Sequence, residues 1–284
     1  MPTAPPVDVS LDVPSLVHVA ESVGAHVGAK LETCHSDERT LTDELCDMIS
    51  IWASSALPRG PARMRLTIER QSARREAQRG GDLELVVRTP AGAKRALLQA
   101  KVIDPDTHRL RGSPAAARGR LQTQLRKAEV YFPSDLVFVL LYVPGQLLDG
   151  RLYGFSTWEQ QYAVCSGVVP SYMGASLVAL TDLKRGAGSW RYRPSFQHLG
   201  DLGGPVPHIS FCRLLLELIC CKRGSWSCRS LAPETRLTDS SILGRDTLTV
   251  EVAASEAASW DEVLEDIRSW LKSGRGLIAS PHES

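Results

Sequence analysis

The sequence lacks any uncharged apolar run of about 18 residues or more, the length that a membrane-spanning helix needs. Its first residues, Met-Pro-Thr-Ala-Pro-Pro, contain neither the basic region nor the apolar stretch of a secretory signal peptide. We therefore expect a cytoplasmic protein with no membrane partner. The chain has 284 residues, 43% hydrophobic and 23% charged, which is typical of a soluble protein with a sizeable core.

Cysteines are few and irregularly spaced. The chain has seven, an odd number, and no two of them form a C-x-x-C pair. We expect free thiols in a reducing compartment rather than a disulfide framework. Zinc is an alternative, but most of the clustered candidates lie on an apolar stretch where a free cysteine packs as a small hydrophobic residue. These candidates are His208, Cys212, Cys220, Cys221 and Cys228.

Signatures of three common enzyme classes are also absent. The chain has no G-x-S-x-G nucleophile elbow, no Walker A loop and no G-x-G-x-x-G string after a predicted strand. These absences argue against a serine hydrolase, a P-loop NTPase and a dinucleotide-binding enzyme.

The net charge is only +1, but the charges are unevenly distributed. Residues 1–58 contain 2 basic and 9 acidic side chains, whereas residues 59–127 contain 17 basic and 6 acidic ones. Fourteen of those 17 are arginines, whose forked guanidinium suits phosphate contacts. The basic segment indicates a polyanion partner, and the alternative is an ordinary solvated face.

Hydrophobic periodicity predicts helices alternating with strands. Apolar-alternating residues around a turn predict a β-hairpin, and a strand without alternation indicates a central strand that is covered on both faces. This order predicts an α/β fold with a mixed β-sheet core flanked by helices. The predicted helices are 15–30, 37–56, 115–131 and 209–221, and the predicted strands are 64–68, 82–88, 94–103, 136–143, 152–155 and 175–180.

The ends of the chain are set apart from this core. We expect a leader and short helix over residues 1–30, the main domain over 31–228 and an extension over 229–284. The extension contains a predicted amphipathic helix, 259–271, that begins with a capping box of Ser259 and Glu262. Its apolar stripe predicts packing against the core or a second subunit, so a homo-oligomer through this helix is one expected assembly.

Three polar side chains converge on the predicted hairpin. Asp82 begins one strand, and Gln99 and Lys101 lie two apart on the returning strand, so that the latter two project from the same face. A carboxylate and an amide oxygen suit Mg²⁺, while a neighbouring lysine orients an attacking water and offsets charge on a phosphorane. The pattern therefore favours metal-dependent phosphodiester hydrolysis.

Asp82, followed 17 positions later by Gln99-Ala100-Lys101, resembles the signature of the PD-(D/E)xK nuclease superfamily, in the QxK form of Mrr-type restriction endonucleases. The resemblance spans about residues 30–228 and extends to Gly80-Gly81-Asp82-Leu83-Glu84, a glutamine-containing helix and Tyr131-Phe132-Pro133. It implies a restriction-endonuclease-like core. The string is also similar to a family of uncharacterised bacterial proteins with this fold.

The resemblance implies that Asp82 is the principal metal ligand, Gln99 the second ligand and Lys101 the catalytic lysine. It also implies a further acidic metal ligand on the helix that precedes the hairpin. We call this ligand the helix acid, and Asp43 and Glu44 are the candidates for it. Helical geometry favours Glu44, whereas Asp43 agrees better with the family's threonine-acid pattern. The substrate-binding candidates on the following helix are Arg120, Gln122 and Gln124, and we expect Glu76 and Glu84 to be solvated carboxylates rather than ligands.

These assignments predict a Mg²⁺- or Mn²⁺-dependent DNA endonuclease, with a role in bacterial defence against phage or foreign DNA that depends on the resemblance alone. Gln99 departs from the usual acidic residue, so the alternative is an inactive nuclease-fold module that binds nucleic acid or a protein partner. The sequence leaves open DNA against RNA, strandedness, and gating by an activator or defence-system partner.

Overall fold

The architecture comes from a computed structural model, which describes 11 continuous ranges and part of one further helix. The ranges are 8–11, 13–34, 36–55, 62–70, 73–89, 92–106, 110–111, 114–145, 174–185, 208–220 and 247–253, and the further positions are 261, 262, 264, 265 and 268.

Eight strands form one mixed sheet in the order β1-β8-β2-β3-β4-β5-β6-β7. The β3–β4 hairpin is antiparallel, with Leu83 opposite Leu98, as the sequence predicts. β5 runs parallel to β4 and is buried along its whole length, which confirms a central strand. The strands are β1 (Asp8–Leu11), β2 (Ala62–Arg70), β3 (Leu83–Thr89), β4 (Gly92–Val102), β5 (Val137–Tyr142), β6 (Ala175–Ala179), β7 (Ile209–Ser210) and β8 (Thr247–Ala253).

The described helices include four that the sequence predicts. α1 is longer than its predicted span of 15–30, because a row of apolar residues at four-residue spacing is buried against the core. α3 falls in a polar run without an apolar stripe, which is why periodicity missed it. The helices are α1 (Val13–Thr33), α2 (Glu38–Ser55), α3 (Ala73–Arg79), α4 (Pro114–Tyr131), α5 (Leu180–Arg185) and α6 (Phe211–Ile219).

The sheet has a hydrophobic cluster on each face, because successive strand residues point to opposite sides. On β4, Leu98 and Ala100 belong to the cluster covered by α1, α2 and α6, whereas Leu97 belongs to the cluster covered by α4 and α5. The chain is thus an α/β protein with helices on both faces of a mixed sheet, as predicted. None of the helices within the described ranges combines the length and apolar character needed to cross a bilayer.

Residues from both flanking regions take part in this architecture. β1, within residues 1–30, pairs in parallel with β8, within residues 229–284, and β8 continues the sheet onto β2. Of the predicted helix 259–271, the described positions are helical. Leu264 packs against the hydrophobic cluster that α1, α2 and α6 cover. The predicted strand 152–155 lies outside the described residues.

None of the cysteines that the structure describes is in a disulfide. Cys212 of α6 and Cys220, which directly follows α6, are two of the zinc candidates. Both are buried in the hydrophobic cluster that α1, α2 and α6 cover. Cys221 and Cys228 lie outside the described residues.

Candidate functional site

A two-glycine turn delivers Asp82 to the start of β3. Gly80 donates its N–H to Glu76 O at 2.7 Å and adopts a φ of 76°, which glycine tolerates and other residues rarely adopt. A Cβ at Gly80 would lie 2.7 Å from the carbonyl carbon of Gln124 and overlap its oxygen. Leu97 blocks the corresponding space at Gly81. The two glycines before Asp82 therefore pack closely between the backbone of α4 and a side chain of β4, where a larger residue would not fit.

Asp82 and Gln99 are in direct contact, as the hairpin pattern predicts. The Asp82 Oδ2 atom accepts hydrogen bonds from Gln99 Nε2 and from the Ala100 N–H, the latter at 2.7 Å. Gln99 is only 1% exposed, and its Oε1 atom has no hydrogen-bond partner. An unsatisfied buried amide oxygen is costly, so this atom is a candidate ligand position.

Lys101 completes the group from the same strand. Its Nζ atom donates to Glu38 Oε1 at 2.8 Å and to the carbonyl oxygen of Ala100 at 2.6 Å. Glu38 is the first residue of α2, directly after Asp37, whose Oδ1 atom accepts the Thr40 N–H at 2.7 Å. The start of α2 thus brings a carboxylate to the lysine, at the end of the helix where negative charge is favoured.

The helix acid beside Lys101 is therefore Glu38, whereas Glu44 forms an ion pair with Lys30 of α1. Glu44 lies six residues further along α2, or about 9 Å along the helix axis. At 100° per residue, Glu38 is about 20° from the centre of the buried row of Leu41, Leu45 and Ile49, and Glu44 is about 100° from it. Asp43 is likewise more than one turn from Glu38.

The electrostatics of the site are dominated by burial. Burial raises the pKa of Asp82 to about 7, the charge of Lys101 opposes that shift, and Glu38 and Glu76 add to it. Burial also raises the pKa of Glu38, again with Lys101 opposing the shift. Two carboxyl groups, Asp82 and Glu38, thus share the field of one lysine, an arrangement found at functional sites.

Two of the three predicted substrate-binding residues lie beside this group. The charge of Arg120 opposes the rise in the pKa of Glu38 that burial causes, and the backbone of Gln124 packs against Gly80. Gln124 Oε1 is buried without a hydrogen-bond partner. Gln122 lies about 160° from Gln124 around α4, on the flank where Glu129 pairs with Lys184, and is not brought to the site.

Glu84 is buried rather than solvated, contrary to the sequence expectation. Its carboxylate pairs with Arg79 Nη1 at 3.1 Å and with Arg95, whose guanidinium carbon lies 5.7 Å from the Phe132 ring centroid. Because Arg79 immediately precedes Gly80, this pair connects the end of α3 to β3 and supports the turn that carries Asp82.

Sequence reasoning did not consider Glu38 and expected Glu76 to be a solvated carboxylate outside the site. The signal for Glu38 was its place at a helix start after a capping aspartate. Glu76 precedes the Gly-Gly turn by one helical turn, and its charge raises the pKa of both Asp82 and Glu38. The position of Glu76 near Asp82 depends on α3, which the sequence pattern does not predict.

The oxygen donors available to a cation are the carboxylate of Asp82 and the amide oxygen of Gln99. Within the described ranges, no three His, Cys, Asp or Glu side chains are grouped so that they could hold a metal ion. A Mg²⁺ site needs only one or two carboxylates when waters and substrate phosphates supply the remaining ligands. The donor set is thus sparse but of the right chemical type.

No protein-family model matches this sequence, and no curated protein matches it.

Proposed function

We propose that the protein is a metal-dependent endonuclease with a restriction-endonuclease-like core that hydrolyses phosphodiester bonds of DNA. The observation that carries the proposal is the buried amide of Gln99. Its nitrogen is fixed by Asp82 while its oxygen is unpartnered, and Lys101 lies two residues further along the strand. This is the arrangement expected of a QxK nuclease site.

The carboxylate of Asp82 and the Oε1 atom of Gln99 would hold Mg²⁺ or Mn²⁺. Glu38, rather than Glu44, is the acidic residue of α2 beside Lys101. The bound cation would act as a Lewis acid on the scissile phosphate. The donors are hard oxygens, and the unsatisfied oxygen of Gln99 supports their use as ligands. Cysteine and histidine do not enter this set.

Lys101 has the chemistry of the water-handling residue. Its ammonium group donates to Glu38, which keeps it on the side of the strand that carries Gln99. In this position it would orient the attacking water and offset the negative charge that develops on the phosphorane. Glu38 then acts through Lys101, as a positioning residue.

The first test is cleavage of supercoiled plasmid with Mg²⁺ or Mn²⁺ by the wild type, Asp82→Ala, Gln99→Ala and Lys101→Ala. We expect each variant to lose at least about 100-fold in rate. Arg126→Ala, on the far flank of α4, is the matched control and should keep wild-type activity. Wild-type cleavage that survives both Asp82→Ala and Lys101→Ala would contradict the proposed site.

A second candidate function is a nuclease-fold module that binds nucleic acid or a protein partner without cleaving. The neutral ligand Gln99 favours it, as does the engagement of Lys101 by Glu38. Calorimetric titration with Mn²⁺ separates the two, because a binding module should show no uptake that depends on Asp82. A defence role, and gating by an activator or partner protein, are proposals from the family resemblance.

A further inference from the structure

One flank of α4 carries a row of four polar or aromatic side chains that begins at the site. At 100° per residue these side chains fall within about 60° of one another, to one side of the buried row of the helix. The four residues, which we name the α4 flank, are Arg120, Gln124, Lys127 and Tyr131.

The α4 flank leads away from the site along α3. At one end, the charge of Arg120 acts on Glu38 and opposes the rise in its pKa that burial causes. Beyond it, Lys127 Nζ donates to the carbonyl oxygen of Ala77 at 2.7 Å, and the Tyr131 hydroxyl accepts a hydrogen bond from Gln78 Nε2 at 3.4 Å. The row therefore follows the edge where α3 and α4 meet.

The chemistry of the α4 flank matches that of a nucleic-acid strand. Arg120 and Lys127 are exposed cations, and Tyr131 is 48% exposed. From Arg120 to Tyr131 the helix rises about 17 Å, close to five nucleotide steps of about 3.4 Å. Cations interspersed with aromatic side chains bind single strands through phosphate contacts and base stacking.

We propose that the α4 flank binds an unpaired DNA strand that continues from the cleavage site, with phosphates on Arg120 and Lys127 and a base stacked on Tyr131. The substrate class is then DNA with a single-stranded flap or overhang next to the scissile bond. The inference rests on the proposed function for the position of that bond, whereas strand binding can be measured without cleavage.

The test is fluorescence anisotropy of the full chain in EDTA and low salt, with a blunt duplex and the same duplex carrying a five-nucleotide flap. We expect Tyr131→Ala to weaken binding of flapped DNA at least about 5-fold and binding of blunt DNA less than about 2-fold. Tyr131→Phe keeps the ring and should bind flapped DNA like the wild type. Lys127→Ala should weaken binding and reduce the salt slope by about 1, whereas the neighbouring Arg126→Ala should leave both unchanged.

Equal losses on both DNAs for Tyr131→Ala, or none, would overturn the stacking role. An Arg126→Ala defect as large as that of Lys127→Ala would overturn the flank assignment, as would the absence of DNA binding at low salt. Plasmid cleavage is scored separately. If the wild type does not cut but flap binding depends on Tyr131, the proposed role of the α4 flank is supported and the proposed endonuclease activity is contradicted. If cutting depends on Asp82 but Tyr131→Ala binds flapped DNA like the wild type, the proposed endonuclease activity is supported and the proposed role of the α4 flank is contradicted.

Discussion

Lys101 Nζ donates to Glu38 Oε1 at 2.8 Å, which joins the end of β4 to the first turn of α2 across 63 positions of sequence. The lysine side chain is 14% exposed, so this contact is only partly screened by solvent. A lysine held in this way is already placed on the face that carries Gln99. The ion pair thus links the position of α2 to the position of the proposed catalytic group.

Glu38→Gln tests this link. Loss of the carboxylate removes the charge that holds Lys101, so we expect DNA cleavage to fall about 100-fold. Glu44→Gln is the matched control from the same helix and should cleave within about 2-fold of the wild type. Both rates would be measured on plasmid at saturating Mg²⁺. Equal defects in the two variants would return Glu44 to the site.

Gly80→Ala tests the turn that delivers Asp82. The φ of 76° and the overlap with the Gln124 carbonyl oxygen leave no relaxed position for a Cβ, so we expect the free energy of unfolding to fall by about 2 kcal/mol or more. Gly119→Ala is the control, because nothing lies within 4 Å of the Cβ it would gain. On α4 that change should stabilise the protein by about 0.5–1 kcal/mol. Urea unfolding measures both, and a neutral Gly80→Ala would show that the turn is not constrained.

The order of helices and strands from α2 to β6 was largely readable from periodicity, because these elements bury one stripe or both faces. The pairing of Asp82 with Gln99 was readable too, since a hairpin and strand alternation fix which residues meet. β1 and β8 were not, because their pairing depends on distant parts of the chain, and α3 was not, because it has no apolar stripe. β8, for example, pairs with both β1 and β2.

The helix acid shows why the rest of the site was harder. Periodicity gives the angle of a residue around a helix, but the position along the axis depends on how the helix lies on the sheet. Glu44 lies about 100° from the buried row of α2 and pairs with Lys30, whereas Glu38 lies about 20° from that row and pairs with Lys101. Gln122 and Gln124 could not be separated without knowing which flank of α4 meets the Gly80 turn. The expectation of a solvated Glu84 failed because two arginines from other elements cover it.

Glu84→Ala should be strongly destabilising. The carboxylate is buried and compensates Arg79 and Arg95, so its removal leaves two partly buried guanidinium groups without that partner. We expect a loss of about 3–5 kcal/mol in the free energy of unfolding. Glu129→Ala, which removes a more exposed ion pair with Lys184, should cost about 1 kcal/mol or less. A thermal unfolding series compares them, and similar costs for the two would argue that the Glu84 pair is solvated.

Asp82 should make the metal-free protein less stable as the pH rises. Its pKa is about 7 in the folded chain against an ordinary value of 3.8, so between these values the folded state keeps a proton that the unfolded state has lost. The contribution is complete below about pH 4, declines as the pH rises and is gone above about pH 7. Glu21, whose pKa burial also raises to about 7, acts in the same direction, so the comparison with Asp82→Asn isolates the Asp82 contribution. Urea unfolding in EDTA at pH 5 and pH 8 should show the wild type losing more stability than Asp82→Asn over this interval. Parallel pH profiles for the two proteins would mean that Asp82 is ionised in the folded state at pH 5, and that burial does not govern its charge.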